Sequence, residues 1–169
     1  MSLVIRKVEK RALWDRRNSE PRYLENDDLA ADALSDLRTQ ENSLSVYFVE
    51  PGDAAMLERL IAALAAGRQQ LDKVDYIAFD PNLLDELGIK VVDTRGGLPD
   101  DQANQWHRDL IELSAKKIAD LGHALKKHGD CNRIRPEDVK RLIQHGVDSK
   151  QIDYSRLQPN VAKHVVAKS

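Results

Sequence analysis

The chain has 169 residues, of which 41% are hydrophobic and 32% are charged, and its formal net charge is -2. This balance excludes a globally disordered chain, and the net charge argues against a protein whose main task is to neutralise phosphate groups. The single cysteine, Cys131, excludes both an intramolecular disulfide and a Cys-rich zinc site. We therefore predict a soluble, single-domain protein, residues 1–169, in the reducing cytoplasm.

Residues 3–14 open the chain with apolar and charged side chains close together. Val4, Ile5 and Val8 favour a strand, while Arg6 and Lys7 bring charges that discourage further strand pairing. The pattern predicts a first strand at the edge of a sheet. The chain shows neither the apolar core of a signal peptide nor the roughly 20 apolar residues that span a bilayer, so we expect neither export nor a membrane partner.

Residues 44–93 contain three short runs that are rich in β-branched and aromatic residues, at 44–49, 74–79 and 89–92. Apolar residues at helical spacing follow the first run, between an N-cap at Asp53 and a stop at Gly67. Asp80 provides a second helix start, and that helix ends at Gly88. The order β-α-β-α-β favours parallel neighbours joined by crossover helices. The sequence therefore predicts a mixed α/β fold around a small, mainly parallel sheet.

The C-terminal third is predicted to be helical and to pack on this sheet. A long helix is expected from about residue 99 to Lys127, where Gly129 ends it. Pro136 begins a further helix, because proline suits the first helical position. From about residue 158 to residue 169 we expect a flexible tail.

Three acidic residues directly follow the predicted strands, namely Glu50, Asp80 and Asp93. Ligands often bind beyond the carboxyl ends of parallel strands, so these residues are candidate ligand-binding residues of one crevice. Together they would hold Mg²⁺, or raise the pKa of one carboxyl group for proton transfer. A structural explanation is favoured: an exposed turn for Glu50, a helix cap for Asp80 and a loop start for Asp93.

Arg95 and His107 complete the candidate ligand-binding set. Arg95 precedes Gly96 and Gly97, and a guanidinium beside backbone amides would bind an anion. His107 would transfer protons if it faced the same crevice. Adjacent glycines are also ordinary turn residues, and a packed or surface histidine is the favoured role. The sequence has neither a GxGxxG motif nor a P-loop, and we predict no metal site.

Three functions follow, in order of preference. The first is a non-catalytic interaction, regulatory or accessory protein that binds a protein partner or a second copy of itself. The second is a small enzyme that acts on an anionic or phosphorylated substrate, the one case in which a cofactor, Mg²⁺, is expected. Nucleic-acid binding is disfavoured but open, through basic residues in 1–22 and a second group: Lys126, Lys127, Arg133, Arg135, Lys140 and Arg141. The sequence does not decide whether the chain is an enzyme.

Overall fold

The computed structural model describes residues 2–15 and 28–166 of the chain. Within these residues the strands are β1 Leu3–Val8, β2 Leu44–Val49, β3 Val74–Phe79, β4 Lys90–Asp93, β5 His107–Ile111 and β6 Asp130–Ile134. The α-helices are α1 Arg11–Trp14, α2 Ala54–Ala66, α3 Asn82–Glu86, α4 Ala115–His128, α5 Pro136–Asp148 and α6 Pro159–Ala162. Three short 3₁₀ helices lie at Ala31–Leu37, Ala103–Trp106 and Tyr154–Arg156.

The chain folds into two compact units that are made of interleaved segments. The first unit comprises Met1–Phe48, Asp75–Asp93 and Arg108–Asn132, and it holds most of the sheet. The second unit comprises Val49–Val74, Thr94–His107 and Arg133–Ser169. Each unit therefore depends on segments from both halves of the sequence.

The described residues form a six-stranded sheet in the order β4-β5-β2-β1-β3-β6, and every strand is antiparallel to its neighbours. The prediction of a small, mainly parallel sheet over residues 44–93 is therefore wrong. β2, β3 and β4 occupy alternate positions, so they do run in the same direction. They are not neighbours, because β1 lies between β2 and β3, and β5 lies between β4 and β2. The helical connections indicate the direction of β2, β3 and β4. They do not indicate which other strands lie between these three.

β1 is a central strand, whereas the sequence predicted an edge strand. It pairs with β3 on one side and with β2 on the other. The charge of Arg6 is tolerated because its guanidinium donates hydrogen bonds to backbone carbonyl oxygens, at 2.6 and 3.1 Å to Asp36 and at 2.8 Å to Ser45. The edge prediction failed because the sequence alone does not distinguish a charged side chain that is hydrogen-bonded inside the protein from one that is exposed to water.

The core of the first unit lies between one face of the sheet and a layer formed by α4 and the 3₁₀ helix Ala31–Leu37. Buried apolar side chains from both layers pack together there, among them Val4, Val46, Leu110, Leu121 and Leu125. Each fully buried aliphatic side chain stabilises the fold by about 1.5–3 kcal/mol. Gly122 allows close packing, because a Cβ atom at this position would lie 2.5 Å from Leu29 Cδ2 and 2.9 Å from Leu34 Cδ2.

Asp36 is a buried carboxylate that ties the N-terminal segment to this core. Its side chain accepts hydrogen bonds from the amides of Glu9 and Lys10 at 2.9 and 3.0 Å, and from Trp14 Nε1 at 2.9 Å. Trp14 itself is fully buried. A buried carboxylate is stable only with such donors, so Asp36 fixes the end of β1 and the whole of α1 against the 3₁₀ helix Ala31–Leu37.

The predicted long helix from about residue 99 to Lys127 is wrong over its first half. The 3₁₀ helix Ala103–Trp106 and β5 occupy this part, and α4 begins only after its N-cap, Ser114, whose Oγ accepts the Lys117 amide at 3.2 Å. Glu112 has a left-handed φ of 57°, which a right-handed helix does not accommodate. Over a strand as short as β5, apolar spacing does not distinguish helix from strand. The predicted end of the helix at Gly129 is confirmed.

The second unit is built on α2 and α5. Its buried apolar side chains include Leu60, Ile61, Val139 and Ile143. The predicted start and end of α2 are confirmed, because Asp53 Oδ1 accepts the Met56 amide at 2.8 Å and Gly67 follows the last helical residue. The predicted start of α5 at Pro136 is also confirmed. Within the segment predicted to be a flexible tail, residues 159–162 form α6, and Val161 is buried.

Replacing Asp36 with alanine tests the N-terminal anchor. We expect Asp36→Ala to lower the free energy of unfolding by about 3 kcal/mol, because three partly or fully buried donors lose their acceptor. The control is Asp32→Ala in the same 3₁₀ helix, where the side chain is exposed and the loss should stay below about 0.5 kcal/mol. Chemical denaturation measures both variants. Equal, small losses would show that Asp36 does not anchor this segment.

Candidate functional site

Each of the three acidic candidates has a local structural role. Glu50 is exposed, and its carbonyl oxygen accepts the Asp53 amide at the turn after β2. Asp80 Oδ1 accepts the Asn82 amide at 2.8 Å at the start of α3, as expected of a helix cap. Asp93 ends β4, and its Oδ1 lies 2.5 Å from the Nε of Arg108 on β5. The side chain of Asp80 therefore contacts the start of α3, although the residue directly before the helix is Pro81.

The strand order keeps Asp80 and Asp93 apart. Asp80 follows β3 and Asp93 ends β4, and three other strands lie between β3 and β4. With neighbouring strands about 4.8 Å apart, the two strand ends lie roughly 19 Å from each other across the sheet. The antiparallel sheet therefore does not form the shared crevice expected from parallel neighbours. Nor do residues 2–15 and 28–166 contain three or more His, Cys, Asp or Glu side chains placed to share a metal ion.

Arg95 lies in the second unit, in a loop that is held by its own side chains. Arg95 Nη2 is 3.7 Å from Asp101 Oδ1, and both side chains are largely exposed. Asn104 supports the loop, because it accepts the Leu98 amide at 2.7 Å and donates to the Leu98 carbonyl oxygen at 2.9 Å. Gly96 is required here, since a Cβ atom would lie 2.8 Å from Asn104 Oδ1. The loop is ordered by internal contacts, and the structure shows no ligand-specific role for Arg95.

His107, the first residue of β5, is only 7% exposed. Its Nδ1 shares a hydrogen bond of 2.8 Å with Thr94 Oγ1. This placement agrees with the packed histidine that the sequence favoured. The five candidate residues thus have separate partners, and their proposed roles in binding a ligand stay predictions.

A cavity of about 630 Å³ lies in the first unit beside β3 and β6, with Trp14, Tyr76 and Cys131 in its wall. Burial is the largest cause that raises the pKa of the Cys131 thiol to about 11, and burial also raises the pKa of Tyr76 above its ordinary value. The thiol is therefore protonated at neutral pH, and a protonated thiol is a poor nucleophile. Cys131 does not provide this cavity with a reactive group.

The basic surface expected between the last two long helices is interrupted. Lys126 is only 7% exposed, and its Nζ donates to the carbonyl oxygens of Leu13 and Asp15 at 3.0 and 3.2 Å. β6 lies between α4 and α5, so these helices are not joined by the short turn of a helix-turn-helix. The basic residues expected in 16–22 lie outside the described residues. α4 and α5 therefore do not form the helix-turn-helix that this alternative expected.

β4 forms an exposed edge that the sequence reasoning missed. Among the described residues, β4 has a strand neighbour on one side only, which is β5. Val91 is 38% exposed and lies opposite Leu110, which is fully buried. The apolar stripe of the core therefore continues to the edge of the sheet at Val91. The sequence signal for this edge was a pair of β-branched residues at 91–92, between two opposite charges.

The two charged residues of β4 are already paired. Lys90 Nζ lies 2.7 Å from Glu112 Oε1, and Asp93 pairs with Arg108. Lysine and other charges commonly protect an edge strand from unwanted pairing. Arg108 of β5 and Glu112, directly after β5, compensate these two charges. The charges therefore protect β4 less against pairing with another strand. Its centre, at Val91 and Val92, is uncharged.

A groove of about 550 Å³ lies beside β4 and the end of β5. Residues 88–92, Asp85 and Ile111 line it. Gly88 has a left-handed φ of 60°, and a Cβ atom at this position would meet no other atom within 4 Å. The space beside Gly88, which lines this groove, is therefore open.

Comparisons with protein-family models, characterised proteins and solved structures gave no match, so the functional argument depends on the geometry of this chain. None of the helices in residues 2–15 and 28–166 combines the length and the hydropathy that a bilayer-spanning helix needs.

The protonated state of Cys131 can be measured by alkylation. With its pKa raised from the ordinary 9.0 to about 11, the folded protein should hold about 100-fold less thiolate than the unfolded chain at any pH below about 8. The rate of reaction with iodoacetamide, followed from pH 7 to 12, should have its midpoint near 11 when folded and near 9 in denaturant. A folded-state midpoint at or below 9 would contradict burial of the thiol.

Proposed function

We propose that the protein is a non-catalytic, cytoplasmic interaction protein that binds an extended segment of a protein partner along the outer edge of β4. The observation that carries this proposal is the exposed, charge-compensated edge, in which Val91 is 38% exposed while Lys90 and Asp93 are ion-paired. The backbone groups of an edge strand provide a template for one more strand.

The expected contact combines backbone hydrogen bonds with one apolar anchor. Each net hydrogen bond contributes about 0.5–1.5 kcal/mol, and the four residues of β4 provide only a few of them. An apolar partner side chain that covers Val91 and extends along the groove adds burial. We expect reversible binding with a Kd in the micromolar range, as is usual for small interfaces.

Other findings support this proposal over the enzyme alternative. The enzyme alternative relied on carboxylates that converge at one crevice, and the strand order separates Asp80 from Asp93. The nucleic-acid alternative relied on two local basic groups, and Lys126 of the second group is buried and bonded to a backbone carbonyl oxygen. The single cysteine supports the cytoplasmic location, because secreted small domains usually depend on disulfides.

A charge at the centre of the edge tests the proposal. We expect Val91→Lys to reduce recovery of the partner by about tenfold or more, because a lysine on an edge strand opposes pairing. The matched control is Val166→Lys in the second unit, where the valine is 70% exposed and far from β4 in sequence. The measurement is quantitative mass spectrometry of proteins that copurify with the tagged wild type and each variant from their own cells.

Unchanged recovery of the same partners with Val91→Lys would reject β4 as the binding edge. Sedimentation velocity of the purified protein identifies the partner when it is a second copy of the chain. In that case a concentration-dependent dimer should form in the wild type and Val166→Lys, and it should be lost in Val91→Lys. Unfolding curves of both variants must match the wild type, so that a lost complex reports the edge.

A further inference from the structure

The last described segment of the second unit, residues 158–166, has little secondary structure of its own. We refer to it as the strap. α6 is a single turn, and the amides of His164 and Val165 after it donate to the carbonyl oxygens of Val161 and Ala162, within the same segment. A single helical turn is not stable alone in water, because its nucleation is costly. The conformation of the strap therefore depends on contacts with the rest of the unit.

Two valines of the strap are buried. Val161 is fully buried and Val165 is 5% exposed, whereas Lys163, His164 and Val166 are exposed. Val161 and Val165 are four residues apart, a spacing that brings both side chains to the same side of a helical turn. The strap thus packs on the second unit through one side, which carries two aliphatic anchors.

The side-chain amide of Gln144 on α5 holds the end of the strap. Its Oε1 accepts the Val166 amide at 2.9 Å, and its Nε2 donates to the Val166 carbonyl oxygen at 2.9 Å. Nε2 also donates to Asp148 Oδ1 at 3.0 Å. Because a carboxylate only accepts hydrogen bonds, Asp148 fixes which end of the Gln144 amide faces each atom of Val166. One side chain therefore reproduces the pair of backbone hydrogen bonds that neighbouring strands exchange.

The contacts that hold the strap are few and weak. Both hydrogen bonds between Gln144 and Val166 are exposed, so water competes for their donors and acceptors. A further contact, from Tyr154 Oη to the Ala162 carbonyl oxygen, is long at 3.5 Å. Ordering nine residues costs conformational entropy that is large compared with the contribution of two buried valines and these bonds. The closed strap is therefore only marginally favoured over an open one.

We infer that the strap opens as one unit while α2 and α5 stay folded, and that Gln144 is its latch. α5 has an apolar face of its own, which includes the fully buried Val139 and Ile143. Opening breaks the bonds to Gln144 and exposes Val161 and Val165 together with the surface on which they pack. The second unit thus has an apolar surface that the closed strap covers. This inference does not rest on the proposed binding at β4, which belongs to the first unit.

Amide hydrogen exchange of the full chain measures this opening. The amides of residues 161–166 all donate hydrogen bonds, so their exchange requires the strap to open. After correction for intrinsic rates, we expect them to share one opening constant and to exchange at least about tenfold faster than the amides of residues 142–146 in α5.

Gln144→Leu removes the latch. Leucine has nearly the helix propensity of glutamine and adds no charge, so exchange in α5 should not change. We expect residues 161–166 to exchange about tenfold faster than in the wild type, because two hydrogen bonds to Val166 are lost. The matched control is Lys140→Leu, which changes an exposed side chain of the same helix, and strap exchange should stay within about twofold of the wild type.

Trypsin gives a second measurement, because Lys163 lies inside the strap and a protease cleaves an opened chain. Cleavage after Lys163 should be about tenfold faster in Gln144→Leu than in the wild type and Lys140→Leu, in proportion to the open population.

Two results would overturn the inference. Exchange of residues 161–166 as slow as that of residues 142–146 would show that the strap is an integral part of the second unit. If Gln144→Leu accelerated exchange equally in the strap and in α5, or in neither, Gln144 would not be a latch.

Discussion

The guanidinium of Arg6 joins three elements that are distant in the sequence. From the middle of β1 it donates to the Asp36 carbonyl oxygen of the 3₁₀ helix Ala31–Leu37 and to the Ser45 carbonyl oxygen of β2. The Asp36 side chain in turn accepts from the residues that follow β1, up to the fully buried Trp14. This junction supports β1 in the centre of the sheet, and the central β1 separates β2 from β3. The positions of the strand ends, and so of every candidate residue on them, depend on that separation.

The same arrangement produces the surface that we interpret as a binding site. An antiparallel sheet in this order leaves β4 at an edge with Val91 exposed. It also brings Arg6 of β1 and Asp109 of β5 to one cavity. Asp109 lies opposite Val92 of β4 in the strand register. The exposed edge at β4 is therefore a consequence of the strand order.

Local signals predicted local structure well. The cap at Asp53, the proline at position 136 and the glycine at position 129 marked true helix ends, because caps and breakers act within one turn of chain. Strand order could not be predicted from such local signals. The insertion of β1 between β2 and β3, and of β5 between β4 and β2, depends on long-range packing. The candidate site followed the same division. A local role for Asp80 at the start of α3 could be predicted from its neighbours in the sequence. The shared crevice required parallel neighbouring strands, which the sheet does not have, and the β4 edge required a strand order that the sequence pattern did not indicate.

Residue-resolved amide hydrogen exchange of the isolated protein tests the strand order most directly. In a central strand successive amides point to opposite neighbours and all are bonded, so we expect uninterrupted slow exchange through residues 4–8 of β1. In an edge strand every second amide faces outward, so exchange should alternate between slow and fast through residues 90–93 of β4. Alternating exchange in β1, or uninterrupted protection in β4, would contradict the central position of β1 and the open edge at β4.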